Sequence, residues 1–76
     1  MINVQCFAHI REQIGKDQLI LDETKITVKD LMDKLSALYS IQTESIMVAV
    51  NEEYAEPGDI VNEGDTVALI PPVSGG

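Results

Sequence analysis

Tryptophan is missing from these 76 residues, and phenylalanine, histidine and cysteine each occur once. A lone cysteine forms no internal disulfide, so a reducing, cytoplasmic setting is expected. One histidine without a cysteine pair offers no metal site of ordinary spacing, and His9 reads as surface decoration. No apolar run approaches the ~20 residues needed to cross a membrane. The start, Met1-Ile2-Asn3-Val4, lacks the basic and apolar regions of a signal peptide. Bases are scarce and unevenly placed: Arg11, Lys16, Lys25, Lys29 and Lys34 are all of them. Five bases against six acids leave the first 34 residues near −1; seven acids without a base make the remainder −7. Such a half repels nucleic acid. It either attracts a basic protein partner, faster at low salt, or serves only solubility.

What is present describes a small globular chain. Hydrophobic residues make up 45%, enough to fold. The expectation is one domain over residues 1–76, burying roughly 60% of its unfolded surface. Ile2, Val4, Cys6 and Ala8 alternate with Asn3 and Gln5, the period of a half-buried strand. Phe7 falls on the polar side of that strand, facing away from the core. Ile10 to Ile14 predicts a helical turn closed by Gly15, and Gln18 to Leu21 a second strand, antiparallel to the first. Val28, Leu31, Met32, Leu35 and Leu38 form the apolar stripe of the main helix. Thr27 caps it, Asp30 occupies the capping-box position, and Ile26 with Leu31 forms a hydrophobic staple. Lys29 with Asp33 and Asp30 with Lys34 are i,i+4 pairs, and the helix is expected to end near Tyr39 or Ser40. Met47 to Val50 reads as a buried strand, Ile60-Val61 as a short one, and Thr66 to Ile70 as the last. Turns fall at Asn51-Glu52-Glu53, Pro57-Gly58 and Asn62 to Asp65.

Behind the last strand the chain runs Pro71-Pro72-Val73-Ser74-Gly75-Gly76. Two terminal glycines make the thinnest peptide tip, able to enter a cleft that side chains would block. The one reactive group there is the Gly76 carboxylate. Either the chemistry happens at this end or the terminus is simply frayed. An extended tail from Pro72 to Gly76 reaches at most ~16–18 Å, and the prolines stiffen its exit. Among other candidates, Phe7 either meets a partner or tucks under a loop, and Arg11 either anchors a partner carboxylate or is solvated. Leu69 belongs to a closing strand that is apolar on both faces, which suggests a cover on both. Cys6 reads as an inert buried thiol. Glu52, Glu53 and Glu56 read as a solvated turn.

Phe7-Ala8-His9-Ile10-Arg11-Glu12-Gln13-Ile14-Gly15, Ala49-Val50-Asn51, Gly64-Asp65-Thr66-Val67-Ala68 and Pro71 to Gly76 together resemble the small, sulfur-carrier subunit of molybdopterin synthase. The similarity runs the whole length. It implies an α+β β-grasp (ubiquitin-like) fold: a mixed sheet of about five strands on one main helix, first and last strands adjacent, residues 72–76 an extended tail. It implies that an ATP-dependent activating enzyme adenylates Gly76 and that a persulfide donor converts it to a thiocarboxylate. The tail, Pro72, Val73, Ser74 and Gly75 threading behind Gly76, then enters the large synthase subunit and donates sulfur to cyclic pyranopterin monophosphate. Phe7, Arg11 and Leu69 are the candidate partner contacts. Two small and two large chains are implied, with ATP used only transiently and no cofactor or metal held by the carrier. The small chain has no complete active site of its own. Sulfur carriage for thiamin, cysteine or transfer-RNA thiolation, a protein modifier, and a non-covalent interaction module are the competing readings.

Overall fold

The computed structural model describes residues 1–41 and 45–71. Nine elements follow in order: β1 Ile2–Cys6, α1 Ala8–Ile14, β2 Gln18–Leu21, β3 Lys25–Thr27, α2 Val28–Tyr39, β4 Met47–Val50, β5 Glu53–Ala55, β6 Ile60–Asn62 and β7 Thr66–Ile70. Five strands make a mixed sheet in the order β2-β1-β7-β4-β5, while β3 and β6 pair separately. The first strand runs parallel to the last, with Val4 beside Val67 and Cys6 beside Leu69. Its other neighbour, β2, is antiparallel. This is the β-grasp arrangement that the resemblance implied.

Period-two alternation decides which face is buried. Ile2, Val4 and Cys6 of β1, Leu19 and Leu21 of β2, Val48 of β4, and Val67 and Leu69 of β7 point inward. There they join Val28, Leu31, Met32 and Leu35 of α2 in one core. The helix begins as expected: Thr27 Oγ1 accepts from the Asp30 backbone N–H at 3.1 Å, relieving one of the unpaired donors of the first turn. Ile26 packs against the core cluster that contains Leu31. The helix stops at Ser40, which takes the left-handed conformation (φ 56°) without being glycine.

Several expectations are corrected. Leu38 is 61% exposed; the inward row continues from Leu35 to Tyr39, four residues on, and Tyr39 is the side chain packed against the core. Lys34 does not pair with Asp30 but reaches Glu23 at 2.7 Å, whereas Lys29 does meet Asp33 at 3.1 Å. Met47 is half exposed rather than buried, because β4 turns it to the face opposite the helix. The short helix α1 starts at Ala8, two residues before its apolar pattern. The three-residue strands β3 and β5 carry too little period to be read. Each exists through its partner: Ile26 opposite Val61, and Tyr54 opposite Ala49.

Candidate functional site

Among the described residues no helix covers the face of the sheet turned from α2, since both helices send their buried side chains into the one core. Register places its residues in rows. Gln18, Gln5, Ala68, Ala49 and Tyr54 lie side by side across all five strands. In the next row Ile70 stands beside Met47, and Phe7 follows the last registered pair of β1 and β7, Cys6 with Leu69. Phe7 is 46% exposed and Met47 50%. This end of the face is therefore an open apolar band, of the kind that marks an interaction surface.

Phe7 is held in place by its backbone. It stays extended at φ −128°, and its carbonyl accepts from the N–H groups of Ile10 (3.1 Å) and Arg11 (3.3 Å). Ala8, the next residue, sits at φ 51°, a left-handed conformation that is unfavourable for a residue with a Cβ. The strained step turns the chain from strand into helix and leaves the Phe7 side chain outside. Gly15, also left-handed at φ 85°, closes the same helix.

Arg11 lies beside Phe7. Both line a shallow recess of about 280 Å³ together with Gln5, Cys6, Asp17 and Gln18. The Arg11 guanidinium is 3.5 Å from the Asp17 carboxylate, with both groups largely in solvent; such a pair is weak and exchangeable. Cys6 is buried on the core side. Burial, and then the Asp17 charge, push its thiol above the ordinary range, so it holds little thiolate.

Leu69 does not join this surface. It is wholly inaccessible, between Cys6 and Val48 in the register, and is a core residue. Strand alternation is the reason: Ala68 and Ile70 face out where Leu69 faces in. The residues that the sequence reading did not assign to this face are Ile70, Met47 and Tyr54. The signal for Ile70 and Met47 was the doubly apolar β4 and β7, which lacked only a register; Tyr54, in the three-residue β5, had none. Pro72, Val73, Ser74, Gly75 and Gly76 lie outside the described residues. The chain nevertheless leaves β7 at Ile70, opposite Met47. Anything docked on Phe7 and Met47 thus stands next to the point from which the last residues depart.

The profile of the ThiS family matches residues 4–76. The chain belongs to the ThiS family. A molybdopterin synthase sulfur carrier subunit of Dictyostelium discoideum is 42% identical over 77 residues, spanning 92% of this chain and 90% of that protein. One from Haemophilus influenzae is 31% identical over the full length of both. Among solved structures, SAMP1 of Haloferax volcanii superposes with a TM-score of 0.79 at 29% identity, covering 99% of this chain and 98% of that one. A chain from the complex of subunits 1 and 2 of the molybdopterin-converting factor of Helicobacter pylori shares the fold, at TM-score 0.69 and 20% identity, over 99% and 97% of the two chains.

Proposed function

We propose that this chain is the sulfur carrier of molybdopterin synthase and donates sulfur from a thiocarboxylate on Gly76. The observation that carries the reading is the apolar band of exposed Phe7 and Met47 and half-buried Ile70 at the end of the last strand, in a chain whose full-length relatives bear that name. A carboxylate is a poor acyl donor, since oxide would have to leave. The Gly76 carboxylate attacks ATP on an activating enzyme, pyrophosphate departs, and an acyl-adenylate results. The outer sulfur of a persulfide displaces AMP, and a second thiol cleaves the acyl disulfide to leave the thiocarboxylate. On the large subunit that sulfur attacks the cyclic pyranopterin, and water restores the carboxylate. Two such transfers build one dithiolene.

Phe7 and its apolar neighbours dock the large subunit, Arg11 offers a guanidinium at the rim, and residues 72–76 thread into the partner's site. The Helicobacter complex of two subunits supports a two-component assembly, and two carriers to two large chains is the stoichiometry we assign. A cytoplasmic setting suits an acyl-adenylate and a persulfide. A second reading, attachment to protein lysines, draws on the likeness to SAMP1, whose relatives include structures described as small archaeal modifier protein 1. Mass spectrometry of the protein from cells separates the two. Exchange of one oxygen for sulfur at the terminus is the expected result; isopeptide adducts without that exchange would reject the carrier.

A further inference from the structure

We infer that Glu52 is a specificity contact on the docking face, receiving an arginine or lysine side chain of the large subunit. This rests on the docking role proposed for that face. The hairpin β4–β5 turns in two residues, Asn51 at φ 52° and Glu52 at φ 71°, the backbone of a primed turn. Asparagine tolerates the first position, but at the second glycine is the ordinary choice. A glutamate there is strained, and its side chain contributes nothing visible to the fold. It makes no ion pair or hydrogen bond among the described residues, while Asn51 beside it is fully engaged. The Asn51 amide nitrogen donates to Asp65 at 3.1 Å, and its oxygen accepts from the Thr66 N–H at 3.0 Å.

The position of Glu52 indicates what such a side chain is for. With Gln5, Asn51, Thr66 and Ala68 it lines a recess of about 380 Å³ on the face turned from the helix. Ala68 connects this recess through Ala49 to Tyr54, and Ile70 continues the same strand to Met47. The apolar band and the recess are thus two ends of one surface. The recess end is rich in acceptors and carries no positive side chain. A partner group with several N–H donors and a positive charge complements these acceptors and the Glu52 carboxylate. The acidity of the second half of the chain adds long-range attraction for it.

The test compares wild type, Glu52→Gly, Glu52→Gln and Phe7→Ala for equilibrium binding to the large synthase subunit at several salt concentrations, alongside denaturant unfolding of each carrier. Glu52→Gly is expected to unfold at higher denaturant, because glycine relieves the turn, and yet to bind about fivefold more weakly with a shallower salt dependence. Glu52→Gln should lose the same affinity without the gain in stability. Phe7→Ala should weaken binding while keeping the salt dependence of wild type. Either Glu52 variant binding as tightly as wild type would overturn the inference and leave the docking reading intact. A wild-type chain that fails to bind would overturn the docking reading, and this inference with it.

Discussion

Leu69 and Phe7 are both large apolar side chains near the sheet end from which the tail departs, yet they belong to different problems. Leu69 is fully enclosed, so truncation removes packed contacts and leaves a cavity. Leu69→Ala should cost about 2–5 kcal/mol in denaturant unfolding. Phe7 is nearly half in solvent, and Phe7→Ala should cost under about 1 kcal/mol of stability while weakening association with the large subunit. A larger loss of stability at Phe7 than at Leu69 would reverse the two assignments. Asp65 shows how one residue ties two turns together. Its carboxylate accepts from the Asn62 N–H at 2.8 Å and from the Asn51 amide at 3.1 Å. These bonds, the backbone one first, lower its pKa below the ordinary carboxylate value. A group with a depressed folded pKa stabilises above its unfolded value and loses that contribution as pH falls through the folded one. Asp65→Asn should therefore be less stable than wild type at neutral pH, and the gap should close as pH drops below ~4. A gap independent of pH across that window would mean that the carboxylate's charge is not what matters.

At the scale of elements, α2 is anchored at both ends by unlike devices. Its start rests on a side-chain cap, and Thr27→Ala should cost about 1 kcal/mol, measured by denaturant unfolding. Its end rests on a serine in a conformation that glycine adopts without strain, so Ser40→Gly should raise stability by up to about 1 kcal/mol. Unchanged stability in both variants would mean that the helix ends fray already. The hairpin β4–β5 follows the same logic, with positive φ at Asn51 and Glu52. The main helix was legible because twelve residues carry three turns of period, a cap and a staple. The strands β3 and β5 were not, since three residues hold barely one repeat; the partner of β3 also lies far along the chain, while β5 begins in residues that read as a polar turn.

For the whole molecule, the proposed chemistry at Gly76 predicts that loading and folding respond separately to change at the terminus. Removing Gly76, or appending one alanine, should abolish sulfur loading by the activating enzyme. Far-UV circular dichroism and the unfolding midpoint should stay unchanged, because among the described residues the core cluster ends at Leu69. Loading of either variant at the wild-type rate would reject chemistry at the terminus. The charge asymmetry also acts at this scale. Association with the large subunit should slow as salt rises, in proportion to the screening of the acidic half.

The main helix with its cap, the strands β1, β2, β4 and β7 and the buried cysteine were legible in the sequence, since each depends on residues near one another in the chain. The apolar character of β4 and β7 on both faces was visible there too. What only tertiary structure decided is which of those apolar residues meets solvent. A one-residue change of register exchanges the two faces of a strand, and register is set by long-range pairing. That is why Leu69 is expected at the surface but lies in the core, and why Met47, expected within a buried strand, is half exposed beside Ile70.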